Sequence, residues 1–342
     1  MEKLRRILKK AKNRLFPLRN VVGVGLGYKE RDNEKTGDLS VVVFVSRKEH
    51  HRDLEPNDTI PRTIDMVPTD VVEIGEVKFL TERTGKWRPA KPGISIGHQQ
   101  ITAGTFGALV RDNETGEVLI LSNNHVLANS TNGQDGRAAL GDMILQPGPY
   151  DGGSQDDAIA VLHRFVPINA ELRTPDCRVA HLAERIENRI LRVVRPDYQV
   201  QFLKAEARGN LVDCAVAKPL SPRLVSPEIV EVGYVNGVAA MKPGLKVQKS
   251  GRTTGLTRGE VKYIAATLRV QMAPDTYAIF TDQAVADLQS AGGDSGSLVL
   301  DGENNAVGLL FAGSEKYTII NQINHVLDQL GVSLVTGKED KE

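Results

Sequence analysis

The sequence predicts a mainly β protein, with a small α+β module ahead of a larger β domain. Two observations carry this. From about residue 100 onward, short apolar runs are parted by turns rich in Gly, Asp and Asn, the pattern of an all-β barrel or sandwich. Before residue 90 the texture differs, with one basic helical stretch followed by β-branched runs. The composition suits a globular chain, since 40% of the 342 residues are apolar and 25% charged. Residues 1–90 are read as the module, 91–330 as the β domain and 331–342 as a charged tail.

The first element is a helix. In "MEKLRRILKKAKNRLFPLRN" eight basic residues face one acid. Leu4, Ile7, Leu8, Ala11 and Leu15 recur at helical spacing, so an apolar stripe is expected to dock on the body or on a second subunit. Its basic rim also fits a lipid or nucleic-acid surface. The stretch has no apolar h-region or cleavage site, and no run of about 18 apolar residues occurs in the chain. A cytoplasmic location and a homo-oligomer assembled through the module are the expectations. Over the whole chain 43 basic and 43 acidic residues balance, which argues against a polyanionic partner.

"NVVGVGLGYKE", "GDLSVVVFVSRK" and "TDVVEIGEVKFL" read as the strands of the module. "GVGLG" is a weak glycine pattern without the helix a dinucleotide site needs, and is read as close-packed strand. "KWRPAKPG" reads as a linker. Then come the hairpin "GTFGALVRDNETGEVLILSNNHVLA" and a series of short strands. "VAHLAERIENRILRVV" is a helical insertion, and "TIINQINHVLDQLGV" a closing helix. Cys177 and Cys214 are expected to be reduced thiols. No zinc spacing, Walker loop or calcium loop occurs, so no cofactor is expected.

The segment "SAGGDSGSLVL" places a flexible, polar turn directly before a buried strand. A serine hydroxyl needs a base, an acid to orient that base, and N–H donors for the oxyanion formed on attack. Gly292 and Gly293 free the backbone so that the N–H groups of Gly293 and Ser295 can converge, with Asp294 locking the loop. Ser295 is the candidate nucleophile. Of seven histidines, His50 and His51 lie in a charged loop and His98 near the linker. His163 follows a strand, and His181 and His325 fall on helices. His125 differs, ending the strand "VLILS" in the polar turn "SNNH", and is the candidate base.

"NHVL", "GRTTG" and "GDSGS" in that order resemble the chymotrypsin-like serine proteases. "SGRTTGLTRGEV" is similar to the alpha-lytic protease and streptogrisin type. "NNHVLA", "ILQPGP", "VDCAVA", "GRTTG" and "GDSGSLV" together resemble the cytoplasmic trypsin-like group of the plant narrow-leaf protease and its bacterial relatives. The resemblance covers about residues 100–325 and implies a two-barrel fold, a serine endopeptidase and a peptide substrate. Two acids remain open. Asp213 in "NLVDCAVAKP" precedes "GRTTG" as the acid does in similar bacterial proteases, and is favoured over Asp157 (or Asp156) in "DDAIAVL". Ser297 replaces the usual last glycine of "GDSGG". The resemblance further implies Arg252 as the partner of Asp294, Phe311 and Gly313 on the substrate-binding edge, and Gln289 at the pocket floor. A weak or latent scaffold of the same fold is the rival reading.

Overall fold

The computed structural model describes residues 2–337 apart from 32–33, 50–51, 56–57, 76, 78–81, 102, 174–176 and 206–208. His50, His51 and the last five residues of the tail lie outside the described residues. The chain divides into two compact units, Met1–Thr81 and Glu82–Glu342.

In the first unit, helix α1 (Glu2–Leu15) precedes strands β1 (Val21–Arg31), β2 (Glu34–Val45), β3 (Thr63–Ile64) and β4 (Val67–Glu73). They form one sheet in the order β1-β2-β4-β3, with β2 and β4 parallel. Ile7, Ala11 and Leu15 pack on Val41, Val43 and Ile64 to make the core of this unit. The helical stripe, expected to dock on the body or on a second subunit, packs on the module's own sheet. Leu8 is half-buried, and the side chain of Leu4 lies outside the described residues. The run "GVGLG" lets Phe44 lie across β1, since a Cβ on Gly23 or Gly25 would meet its ring at 3.1 and 3.2 Å. The expected third strand is β4, and residues 76 and 78–80 of that stretch lie outside the described residues.

The second unit begins at Glu82, ahead of the expected linker. Ala90 is fully buried and bridges to Val225, so "KWRPAKPG" is packed chain and the boundary falls before residue 90. Its strands, in chain order, are β5 (Ser95–His98), β6 (Gly104–Thr105), β7 (Ala108–Asp112), β8 (Val118–Ser122), β9 (Met143–Leu145), β10 (Ala158–Phe165), β11 (Leu172–Arg173), β12 (Lys204–Ala205), β13 (Ala215–Pro219), β14 (Gly237–Val238), β15 (Lys246–Gly251), β16 (Gly255–Ala273), β17 (Thr276–Ala286), β18 (Leu298–Asp301), β19 (Asn305–Gly313), β20 (Thr318–Gln322) and β21 (Val332–Leu334). Three helices interrupt them: α2 (Asn124–Leu127), α3 (Arg178–Val194) and α4 (Ile323–Leu330).

One sheet runs β21-β7-β8-β13-β10-β9-β5-β6, and the other β14-β19-β18-β15-β16-β17-β20. Because β19 also pairs with β20, the second sheet closes on itself. Alternation explains how both fill. Leu119, Leu121, Cys214 and Val216 point to a core shared with Leu298, Leu300 and α4. Ile120, Ala215 and Ala217 point to the other side, against Ile96, Phe106 and Ile144. Two elements differ from expectation. The closing helix starts only at Ile323, because Thr318–Gln322 is used as β20 between β17 and β19. The tail opens with β21, paired to β7, so it is charged tail only beyond that strand.

Candidate active site

His125 is placed by the turn that leaves β8. Asn123 Nδ2 donates to the Asp213 carbonyl at 2.7 Å, and Asn124 Nδ2 donates to the Val166 carbonyl at 2.7 Å. These amides explain why Ser122–Asn124 is polar yet buried: they tie the turn to the residues before β13 and just after β10. The His125 ring then meets Asp213, with Nδ1 2.5 Å from Oδ2, while the His125 backbone N–H donates to Oδ1 at 3.2 Å. Asp213 is buried, and its own N–H donates to Asn321 Oδ1 at 2.5 Å. His125 keeps 30% of its side-chain surface exposed. Burial disfavours the imidazolium, but the charge of Asp213 and its hydrogen bond outweigh that, so the His125 pKa is raised above 6.5.

The turn bearing Ser295 is fixed by a buried carboxylate. Asp294 Oδ1 accepts from the N–H groups of Thr253 (2.9 Å) and Thr254 (3.0 Å), and Oδ2 accepts from Thr254 Oγ1 at 2.6 Å. Its cation is Lys249, fully buried, with Nζ 3.4 Å from Oδ2. Arg252 is not that partner. It lies beyond the end of β15, pairs with Asp151 through Nε at 2.7 Å, and stacks 5.3 Å over the Tyr150 ring. Lys249, in period-2 register with the buried Val247, points inward to Asp294. Gly296 has no substitute, since a Cβ there would lie 2.1 Å from Ser122 Oγ. Ser297 does not crowd the cleft: its hydroxyl is buried and donates to the Asp294 carbonyl at 2.5 Å.

The three groups flank one corner of the second unit without yet forming one chain of hydrogen bonds. Ser295 Oγ donates to the Phe311 carbonyl at 3.3 Å, and no hydrogen bond joins it to His125. The N–H groups of Gly293 and Ser295 meet no acceptor among the described residues. Beside them lies a cleft of about 1110 Å³, lined by His125 and Asp213, by Phe311 and Gly313, and by Leu268 and Met272 of the long β16–β17 hairpin. Gln289 does not line it; that side chain is exposed and its carbonyl accepts from Thr257 Oγ1 at 2.8 Å. Next to the cleft, β18 pairs with β19 no farther than Leu309, leaving one edge of Ala312–Gly313 open.

Asp157 is occupied elsewhere. It pairs with Lys86 at 2.6 Å and caps the turn at Ser154, and the Lys86 hydrogen bond leads the interactions that hold its pKa at about 2. Asp156 is exposed. Cys214 packs in the core, where burial and then the charge of Asp213 push its thiol pKa up, so it stays protonated. Cys177 is exposed and also free. Among the described residues, no group of three or more His, Cys, Asp or Glu is placed to hold a metal ion.

Sequence reasoning missed Lys249, Asn321 and the β16–β17 wall. A lysine on the inward side of a strand was a visible signal for the first. Nothing in the spacing marked Asn321, which reaches Asp213 from a distant strand.

Two β-sheet half-barrels, with His125 and Asp213 on the first and the Ser295 turn on the second, define a fold of the chymotrypsin-like class. No family model matches the chain, and no curated protein matches it. Among solved structures, Thermobifida fusca protease A is similar at 17% identity and a TM-score of 0.45, covering 72% of this chain and 100% of its own. A Nocardiopsis protease is similar at 15% and 0.46, covering 72% and 100%. A chymotrypsin of Cellulomonas bogoriensis stands at 15% and 0.43, covering 72% and 97%.

Proposed function

We propose that the chain is a serine endopeptidase that cleaves peptide bonds through an acyl-enzyme. The observation that carries this is the 2.5 Å bond between His125 and Asp213 at the rim of a cleft, with the tight Ser295 turn beside it. With the Nδ1 proton held by Asp213, Nε2 is free to take the Ser295 proton as Oγ attacks the substrate carbonyl. The tetrahedral oxyanion is received by the N–H groups of Gly293 and Ser295. His125 then gives the proton to the leaving amine, and water repeats the sequence to release the acid and restore Ser295. The substrate lies extended along the open edge of Ala312–Gly313, with Phe311 at its side, as β-augmentation requires. "NNHVLA", "GRTTG" and "GDSGSLV" support placing it with the trypsin-like group noted above.

One observation favours a second reading, a latent enzyme. Ser295 Oγ donates to Phe311 O rather than to His125, so a rotation of the serine must precede attack. A fluorophosphonate probe tests both readings. Ser295-dependent labelling at a rate typical of active serine hydrolases supports the active enzyme. Labelling that appears only after a peptide or truncation is added supports latency, and no labelling under any condition overturns the proposal.

A further inference from the structure

The insertion between β11 and β12 carries a helix with no place in the peptidase reading. Helix α3 buries none of its residues. Val179, Leu182, Ile186, Ile190 and Val193 are 53–84% exposed. At about 100° per residue these five share one continuous stripe. Along one margin of it, within an arc of about 60°, stand Arg178, Arg185, Arg189 and Arg192. None of the four makes an ion pair among the described residues. The side turned to the rest of the insertion is different: Ala180, Glu184, Asn188 and Leu191 are half-buried, and Asn188 exchanges two 2.8 Å hydrogen bonds with Val200. The helix is thus held by its polar seam and offers its apolar stripe outward. Tyr198, 66% exposed, follows its end.

We propose that α3 docks this unit on an anionic lipid surface, lying flat with its stripe among the acyl chains and its arginines on the phosphates. Charge complementarity selects this occupant. An apolar stripe on an otherwise polar helix, with arginines at the margin, is what an interfacial helix needs, whereas a spanning helix needs length and continuous apolarity. No described helix is long and apolar enough to cross a membrane. A second copy fits worse. Antiparallel pairing about a two-fold axis sets the arginine margin against itself. Parallel pairing offers the four arginines one exposed carboxylate, Glu187. An anionic bilayer takes the stripe and all four charges at once, and the long side chains reach its headgroups.

The test is co-sedimentation of the full chain with vesicles of phosphatidylcholine alone and of phosphatidylcholine mixed with phosphatidylglycerol. Binding is expected to the mixed vesicles only, and to weaken as salt rises. Ile186→Glu should weaken it about tenfold by placing a charge in the apolar stripe, and Arg185→Glu/Arg189→Glu by a similar factor. Both sites are exposed, and an unchanged melting temperature confirms that the fold is kept. The basic helix α1 gives the control, Arg5→Glu/Lys9→Glu, which should leave binding in place. Three results overturn the proposal: no binding of the unaltered chain to mixed vesicles, binding lost in the α1 variant but kept in Ile186→Glu, or an oligomer in sedimentation velocity that Ile186→Glu reduces to monomer.

Discussion

Among the described residues the second unit holds three His–Asp pairs, and two of them, His98–Asp142 and His125–Asp213, differ in what is left over. His98 has no exposed surface; its Nε2 meets Asp142 Oδ2 at 3.0 Å, and its Nδ1 accepts from the Gln100 N–H at 3.2 Å. Both ring nitrogens are spent, so the pair is structural. His125 spends only Nδ1, on Asp213, and turns Nε2 to a cleft. A histidine near a carboxylate is common; a histidine with one nitrogen committed and one idle is what general-base chemistry requires. The idle nitrogen, more than the short bond, separates the two sites.

The sharpest way to break this comparison is to remove each ring. On the proposed mechanism, His125→Ala and Ser295→Ala are each expected to lower kcat by roughly 10⁴- to 10⁶-fold, since a Ser-His-Asp triad acts as a unit. His98→Gln should leave kcat within about twofold while lowering stability by roughly 1–3 kcal/mol, the usual cost of a broken buried polar pair. Peptidase assays and urea unfolding on the same preparations decide it. A His98 variant as inactive as the His125 variant would end the distinction.

The acids come next. Asp213→Asn should cost roughly 10³- to 10⁴-fold in kcat by mis-setting the tautomer of His125. Asp157→Asn should leave kcat unchanged, because Asp157 is engaged with Lys86 and Ser154. The reverse ranking would move the acid to "DDAIAVL".

Lys249→Met probes the second arm of the site. It leaves Asp294 buried without its cation, and should cost about 3–5 kcal/mol in denaturant unfolding. Arg252→Met leaves the Lys249 contact intact and should cost much less; equal losses would return Arg252 to the role the sequence suggested.

The smallest effect is in the pH profile. The proposed general base must be neutral to act, and the folded pKa of His125 is raised above 6.5. Activity should therefore fall about tenfold per pH unit on the acid side of a limb centred above that value. The sign for folding is opposite: the protonated pair stabilises fully below pH 6.5 and loses this as pH rises through the raised pKa. In Asp213→Asn the supports of the raised pKa are gone and burial remains, so any residual activity should show its limb at lower pH. A limb that stays in place would mean another group titrates.

Much of the site could be read from the sequence, for a physical reason. Nucleophile turns need glycine at fixed offsets, and the polar turn after β8 has no other explanation than holding a side chain in place. Ser295 and His125 stand out on those grounds, and Asp213 only through the resemblance, in which the acid precedes "GRTTG"; His125 and Asp213 line one cleft with the Ser295 turn beside it. Arg252 was implied by the resemblance alone, and strand parity overrules it by turning Lys249 inward to Asp294 and letting Arg252 out to Asp151. The linker failed for a related cause: Pro and Gly mark irregular backbone, and irregular backbone can still be packed, as Ala90 is. The length of helix α4 was overread because "TIINQ" is apolar without a period, and only its neighbours β17 and β19 make it a strand. No local pattern encodes such pairing.

The insertion that bears α3 leaves and re-enters at one point, where β11 and β12 pair Leu172 with Ala205 and Arg173 with Lys204. Its root is stitched to β17, with the Glu171 N–H on the Tyr277 carbonyl at 2.7 Å and the Asn210 N–H on the Ile279 carbonyl at 2.7 Å. Such a stem behaves as a socket. The segment between its two strands can be cut out and the ends joined by a tight turn without re-threading either sheet, and a shorter closure costs less chain entropy. An address could then be exchanged on this scaffold while the chemistry stays where it is.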